Sequence, residues 1–290
     1  MENSSDITSI IIETINTILG NLFASIDNNL YTILDDIIFI SSDIIHDSYF
    51  EKILGTSASN GILLISNALL FGFLLYYAVK YLFSHLTFSQ VESPIQFVFK
   101  AVIFGTIINF SFFFMEQILD LLSMITLAIR NIGEILFNKN ICFSELILII
   151  NNNIAIDSTA LDIFSLDGII KATLSTSLLA LVFTYSFRYI LIKVFILLTP
   201  FAILSLLLNS SSWFFRAWLR CVFSLLFMQI IVAIVLLIMF SLDYSSTELF
   251  SKFIYIGGIL TLIKIDSFVR EFLGGISTTF SQNVHNFFKK

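Results

Sequence analysis

Charged side chains inside long apolar runs are the residues of this sequence that could do chemistry. Arg188 and Lys193 lie five positions apart in the apolar run 169–208. A bare cation in the middle of a membrane span costs about 2.5 kcal/mol or more on insertion scales. Five residues make about 1.4 helical turns, so the two side chains point roughly 140° apart. We therefore expect at least one of them to face a protein seam or a wet cavity.

The pair of cations has two open interpretations. It is either a boundary pair whose long side chains snorkel to the interface or a polar lining on a translocation path. Glu116 and Asp120, four positions apart on one helix face, are candidate partners. Asn109 and Gln229 are polar residues of two other apolar runs, and for Asn109 we expect a hydrogen bond to a neighbouring helix. All six residues are candidates for interhelical or pathway-lining polar groups.

The elements that must position these residues are membrane helices. The chain has 290 residues, of which 57% are hydrophobic and 12% charged, against about 25% charged in a typical soluble domain. An α-helix needs about 20 apolar residues to cross a bilayer. The sequence therefore predicts an all-α polytopic membrane protein with about five transmembrane helices, at 61–83, 95–115, 169–208, 219–242 and 250–265.

The segments around these helices are expected to divide the chain into five parts. Apolar residues recur every three or four positions from Ile11 to Ile37, which indicates an amphipathic helix, and this region is acidic. The parts are an exterior acidic amphipathic segment (1–60), transmembrane helices one and two (61–115), an exterior amphipathic helix and loop (116–168), transmembrane helices three to five (169–266) and a cytoplasmic tail (267–290).

Three alternatives remain open within this division. Residues 116–137 form either a surface helix or an additional span, in which case their charges need a polar cavity. Residues 169–208 are too long for one crossing, so they are kinked at Pro200 or form two short helices. The N-terminal segment is one helix or a broken pair, and it covers the bundle of its own chain or docks a partner subunit.

Charge predicts the orientation of the chain. Cations mark cytoplasmic segments, and they fall between predicted helices one and two, between three and four, and after five. The N-terminus is therefore expected outside and the C-terminus in the cytoplasm. The protein is expected to be a multi-pass protein of the cell (inner or plasma) membrane. The cations that decide this are Lys80, Arg216, Arg220, Arg270, Lys289 and Lys290.

The stretch 172–242 organises the chain, because two long apolar runs flank a short serine-rich hinge. Trp and Arg beside such runs are typical of the membrane–water boundary. This predicts a membrane hairpin whose boundary and turn residues are Trp213, Arg216, Trp218 and Arg220. Further along, Gly257 and Gly258 would allow a close approach between helices.

The hairpin also carries a resemblance to a known family. Thr199-Pro200-Phe201 ends one run, Ser210 to Ser212 make the turn, and Trp-Phe-Phe-Arg-Ala-Trp at 213–218 opens the next run. Over roughly residues 55–285 the chain resembles the TrbL family of conjugal transfer proteins. The resemblance implies a polytopic inner-membrane subunit of a type IV secretion system. Such a protein would assemble with other channel subunits and a secretion ATPase, and would help DNA or protein cross the membrane.

The expected partners are therefore the lipid bilayer, these secretion subunits, further copies of the chain, and translocated DNA or protein in transient contact. Two other functions remain open: a stand-alone secondary transporter and a structural membrane anchor for a surface complex. A transporter usually shows paired interrupted helices in two related halves, and the sequence shows no internal repeat.

Enzymatic motifs are missing from the sequence. It has no Gly-rich phosphate loop, no HExxH, no CxxC and no Ser/His/Asp set. His46, His85 and His285 lie in different segments, and Cys142 and Cys221 lack metal-binding spacing. We therefore predict no catalytic site, no bound metal, no cofactor and no disulfide.

Overall fold

The computed structural model of the protein describes residues 33–55, 60–87, 93–153, 166–208, 210–242 and 249–273, with isolated residues between 10 and 18. These ranges consist of helices and short connections, with no strand among them. The all-α fold predicted from the sequence is confirmed. Most of the predicted N-terminal helix at 6–45, and the cytoplasmic tail beyond residue 273, lie outside the described residues.

The helices follow one another along the chain with short breaks. Residues 33–38 are helical and are called α1. The others are α2 (Asp43–His46), α3 (Ser48–Leu54), α4 (Ile62–Thr87), α5 (Pro94–Asn109), α6 (Ser111–Phe137), α7 (Phe143–Asn153), α8 (Leu166–Leu204, continued by a 3-10 turn at Ser205–Leu207), α9 (Ser212–Ser241) and α10 (Leu249–Leu273).

Four described helices are long and apolar enough to cross a membrane: Ile62–Ser84, Ser111–Phe137, Gly168–Leu207 and Ser212–Ser241. Helix α5 is a shorter apolar helix of 16 residues. The chain is thus a multi-pass membrane protein. The predicted fifth span at 250–265 lies within α10, which is helical but is not one of these four.

The boundary between the second and third predicted parts does not coincide with a break between helices. Helix α5 ends at Asn109, and α6 runs through the expected boundary at 115/116. Phe110, with φ −94° and ψ 6°, separates the two helices. Residues 116–137, expected as a surface helix, belong to α6, which corresponds to the alternative of an additional span. Glu116 lies near the start of this helix and contacts His46, so its carboxylate is not left without a partner in the core of the bundle.

Helix α8 is the centre of the bundle, since it packs against α4, α5, α6, α9 and α10. Three hydrophobic clusters follow one another along it, around Leu174 to Tyr185, then Ile192 to Ala202, then Ile203 to Leu207. The helix stays continuous through Pro200, so two separate short helices do not form. Around Pro200, which lacks an N–H donor, the Thr199 hydroxyl donates to the Phe195 carbonyl at 3.1 Å.

Residues 33–54 pack on the bundle through part of their apolar side chains. Leu34 and Ile38 join the first cluster, and five apolar residues between 40 and 54 join the second, whereas Ile33, Tyr49 and Ile53 are exposed. We call residues 33–54 the strap. Its buried side chains contact α6, α8 and α9 of the same chain, as expected if this segment covers its own bundle. Its location on the outer side of the membrane stays a prediction.

The two adjacent glycines of α10 differ in their surroundings. A Cβ added to Gly258 would lie 2.5 Å from Met239 Cε of α9, whereas a Cβ on Gly257 would meet nothing within 4 Å. The expected close approach therefore occurs at Gly258 and not at Gly257.

This difference gives a matched test of the packing between α9 and α10. Gly258→Val should destabilise the folded protein by about 1–3 kcal/mol, because extra atoms in a packed seam force neighbours to move. Gly257→Val carries the same change in helix propensity and should have little effect. The measurement is thermal unfolding of each purified variant in detergent. Equal melting temperatures for the two variants would contradict the packing described here.

Candidate functional site

Arg188 lies near the middle of α8 and is fully buried, with 0% of its surface exposed. Its guanidinium donates in three directions: from Nε to the Leu225 carbonyl at 2.9 Å, from Nη1 to the Ile38 carbonyl at 3.0 Å, and from Nη2 to Gln229 Oε1 at 3.5 Å. A planar guanidinium has five N–H donors in a fixed fork, which suits it to joining several acceptors at once. Arg188 thereby connects α8, α9 and the strap.

Gln229 extends this network to a third long helix. Its Nε2 donates to the Ile40 carbonyl at 3.4 Å and to Thr126 Oγ1 at 3.3 Å. Thr126, Arg188 and Gln229 each lie near the middle of one apolar helix long enough to span a membrane. We call these three buried residues the polar node. It brings together α6, α8 and α9 at one level.

The strap explains why a polar node is present. Its backbone leaves the helical conformation at residues 39–42, so the carbonyls of Ile38 and Ile40 lose the donors that a continuous helix would supply. An unpaired carbonyl in apolar surroundings is costly, and non-helical backbone within a membrane must be satisfied by protein or by a water-filled cavity. Arg188 and Gln229 supply these donors. The node is therefore a clasp on the broken backbone of the strap.

The positive charge of the node lies near a buried acid of α10. Asp266 is only 3% exposed and interacts electrostatically with Arg188 and with Tyr185. The Tyr185 ring lies 6.0 Å from Arg188 Cζ, and its hydroxyl donates to the Leu262 carbonyl at 3.2 Å. A buried charge needs an opposite charge and hydrogen bonds to be tolerated. Helix α10 thus takes part in holding the node.

The acids expected to pair with the two cations lie elsewhere. Lys193 pairs with Asp47 of the strap at 2.9 Å, and Glu116 pairs with His46 at 3.2 Å. Asp120 is partly buried on α6. The expectation that at least one cation faces protein agrees with the structure, but its partners are backbone carbonyls, Gln229 and Asp266 rather than Glu116 or Asp120. A residue spacing along one helix could not reveal partners that come from the strap.

The N-terminal end of the strap is fastened by Asp35. Its carboxylate accepts from the backbone N–H groups of Phe143 and Ser144 at 2.8 and 3.2 Å, and from the Ser144 hydroxyl at 2.8 Å. This carboxylate caps the first turn of α7 from a distance of more than 100 residues in sequence. Arg130 adds a second contact, because its guanidinium lies over the Phe39 ring at 4.8 Å while Nε donates to the Ile141 carbonyl.

The other end of the strap is fastened by a contact of His46 Nε2 with Glu116 Oε1 and by the ion pair of Asp47 with Lys193, which together we call the latch. Both contacts are partly open to solvent. The hydrogen bond from Lys193, then that from the Tyr49 backbone N–H, lowers the pKa of the Asp47 carboxyl. Its folded-state pKa is therefore below the unfolded value. The contribution of this pair is present above about pH 4 and is lost as the pH falls through the folded-state pKa.

A polar pocket of about 280 Å³ adjoins the latch. His46, Glu51, Asn109 and Glu116 line it, with an apolar rim from the strap, α4 and α6. Asn109 also forms a reciprocal amide pair with Asn67 of α4, at 3.1 and 3.4 Å. Asn109 thus has the interhelical hydrogen bond that its position indicated. The described residues contain no group of three or more His, Cys, Asp or Glu side chains that could hold a metal ion.

The turn between α8 and α9 separates the two tryptophans. Trp218 is 6% exposed, and its Nε1 donates to the Phe195 carbonyl at 3.0 Å, the same carbonyl that accepts from Thr199. We call this three-residue contact the hairpin joint. Trp213 is 64% exposed, as expected for a boundary residue. Trp218 instead locks two helices together, because its indole N–H reaches a carbonyl beside the proline.

The two boundary arginines lie at the start of α9. Arg216 and Arg220 are exposed, and Arg216 donates to the Ser212 hydroxyl at 3.4 Å. The turn itself is closed by the Ser211 hydroxyl, which donates to the Ser205 carbonyl at 2.7 Å. The serine-rich sequence therefore satisfies carbonyls that the end of α8 leaves open.

Fold and node together define the class of this protein: an all-α, multi-pass membrane protein that holds a discontinuous N-terminal element on its bundle through a buried arginine. No protein-family model matches the chain, and comparison with curated proteins and with solved structures finds no match either.

Thr126, Asp35 and Asp47 are part of this site and were not singled out from the sequence. Thr126 is a common residue in apolar helices, and its own hydroxyl also bonds within α6, to the Leu122 carbonyl. The two acids belong to the acidic N-terminal region, which gave the only signal. Their partners lie more than 100 residues away and could not be read from spacing.

Removing the buried guanidinium tests the importance of the node. Arg188→Met should destabilise the protein by about 3 kcal/mol or more, because two strap and helix carbonyls, Gln229 and Asp266 lose a buried partner. Lys193→Met is the matched control on the same helix and should cost at most about 1 kcal/mol, as for an exposed ion pair. The measurement is the folded fraction after heating in detergent. Similar losses for the two variants would contradict a special role of Arg188.

Proposed function

We propose that this chain is a membrane-embedded channel or scaffold subunit of a conjugative type IV secretion system, helping DNA or protein cross the cell membrane. It would assemble with other channel subunits, with a secretion ATPase and with further copies of itself. The hairpin joint carries the proposal. Thr199, the serine turn and Trp218 are residues on which the resemblance to the TrbL family rests; Thr199 and Trp218 share the Phe195 carbonyl, and Ser211 closes the turn on the Ser205 carbonyl.

The polar node supports the same function. Polar and ionisable residues within membrane helices are costly, and they typically mark a pathway or a seam that function requires. Here three of them meet around a broken backbone, so the bundle has a polar centre that a simple anchor does not need. A scaffold for translocation would use such a centre to hold helices in one arrangement beside a passing substrate.

Two alanine variants of the hairpin test this proposal. Trp218→Ala should reduce both recovery of the assembled complex and transfer, because it removes a buried ring and an indole donor. Trp213→Ala should have a smaller effect, since that ring is exposed. The measurements are co-purification of a secretion ATPase and other channel subunits with the tagged chain, and transfer frequency in the producing cells. The absence of any secretion subunit from a complex purified in mild detergent would overturn the proposal.

A stand-alone secondary transporter is the second candidate, and the strap is the observation that favours it. Transporters hold substrate and ions at discontinuous helices near the bilayer midplane. Uptake of solutes or protons by the purified chain alone in proteoliposomes, with no other subunit present, would support this candidate over the first.

We further propose that the N-terminus lies outside the cell and the C-terminus in the cytoplasm, an arrangement in which α10 crosses the membrane as a fifth span beside the four long apolar helices and α5 does not cross. The exposed Lys80, Arg216 and Arg220 support this, as they belong to loops and helix ends that the cation asymmetry assigns to the cytoplasmic side. The hydrophobic cluster that joins α4 and α5 to Leu204 and Leu207 brings the α8–α9 turn to the same part of the bundle as Tyr77 and Tyr81.

Single cysteines report this orientation directly. In a protein whose native Cys142 and Cys221 are replaced by serine, Ser4→Cys should react with an impermeant thiol reagent in intact cells. Ser281→Cys should react only after the cells are opened. Equal labelling of both positions in intact cells would rule out opposite locations for the two termini.

A further inference from the structure

We propose that the strap is a displaceable gate that closes the seam between α6, α8 and α9, and that the latch holds it shut. The proposal concerns a conformational change within this chain. It rests on the proposed function only in that the opened seam would serve translocation. Its first test measures conformation in the purified protein, so it can fail or succeed independently of the secretion system.

The strap lies over the polar node. Its buried residues pack on the first half of α6, the middle of α8 and the first half of α9, which are the three helices that supply the polar node. The break at 39–42 lies at the level of that node, because Ile38 and Ile40 bond to it. The strap thus occupies the place where the polar residues of the three helices converge.

Several polar contacts help to hold the strap in place. Besides its seven buried apolar side chains, the strap is held by polar contacts: Asp35 on α7, Arg188 and Gln229 on the broken backbone, and the two contacts of the latch. The two helices of the strap whose both ends are described, α2 and α3, contain only four and seven residues. Contacts of this kind can be replaced by water, and short elements with few bonds of their own open at lower free energy than long helices.

Movement of the strap would expose the polar groups that it covers. If it moved away, the donors of Arg188 and Gln229 would lose the carbonyls of Ile38 and Ile40 and would face the vacated seam. Thr126 would face it as well. Polar groups in this position draw in water, so the opened seam would be a wet passage with a fixed positive charge. Apolar residues in place of these polar groups would hold a purely structural strap at a lower free-energy cost.

The end of the strap touches the start of α4. Gly55 ends α3 with φ +83°, a conformation that favours glycine. A Cβ on Gly61, just before α4, would lie 2.5 Å from Gly55 Cα, so the two backbones meet with no room for side chains. The proposed movement therefore concerns the part of the strap before Gly55.

A thiol reporter in the strap tests the gate. In the cysteine-free protein in detergent, Ile40→Cys should react slowly with a small charged methanethiosulfonate, because Ile40 is 2% exposed. Adding Asp47→Asn and Glu116→Gln should raise that rate about tenfold, because the two partly exposed contacts of the latch together account for about one factor of ten in an opening equilibrium. Asp43→Asn is the control, since Asp43 is exposed and bonds only locally, to Ser41. It should leave the rate unchanged.

A second reporter separates gating from unfolding. Ala101→Cys is buried in α5, in a cluster that the strap does not touch, and should stay protected in the latch variants. An unchanged rate at position 40, or equal increases at positions 40 and 101, would overturn the gate.

A reversible lock connects the gate to transport. Asp47→Cys with Lys193→Cys, bridged by a short bis-methanethiosulfonate that forms a disulfide with each thiol and releases sulfinate, should abolish transfer in cells, and reduction should restore it. Full transfer through the locked protein would overturn the gate while leaving the secretion proposal intact. Absence of transfer before locking and after reduction, with normal opening in the thiol assay, would count against the secretion proposal and not against the gate.

Discussion

The structure depends on the hydrogen bonds of one buried guanidinium. Arg188 is fully buried near the middle of the central helix, where a bare cation would be strongly unfavourable. It is tolerated because carbonyls from two other segments, a glutamine and a buried acid surround it. The same bonds satisfy the strap backbone where it leaves the helical conformation. Neither group would be stable in this place without the other.

This mutual requirement explains the arrangement of the helices around it. Helix α8 must touch α9 for the Leu225 carbonyl, the strap for the Ile38 carbonyl and α10 for Asp266, and these contacts account for much of its central position. The hairpin joint makes a second contact between α8 and α9, between Arg188 and Pro200 on α8. The Arg188 hydrogen bonds and the hairpin joint, both on α8, thus fix the seam between α8 and α9, and the rest of that seam is apolar.

A polar seam closed by a segment of the same chain is compatible with a protein that handles a substrate within a membrane. In the proposed role as a translocation subunit, such a seam would be a region that is either dry and closed or wet and open. The latch lies at the partly exposed end of the strap, where solvent, a partner subunit or a substrate could reach it. Regulation from outside the bundle would therefore act at the latch rather than at the node.

Composition and periodicity alone determined that this is an all-α membrane protein, because about 20 consecutive apolar residues have few other stable forms. They also determined the hairpin around Pro200 and the polar character of Arg188 and Gln229. Only the tertiary structure decided which groups those residues meet, that Trp218 is buried while Trp213 is exposed, that α6 begins before Glu116, and that residues 33–54 pack on the bundle. The physical reason is that hydropathy depends on each residue and its near neighbours, whereas a buried hydrogen bond depends on segments brought together from as many as 189 positions apart.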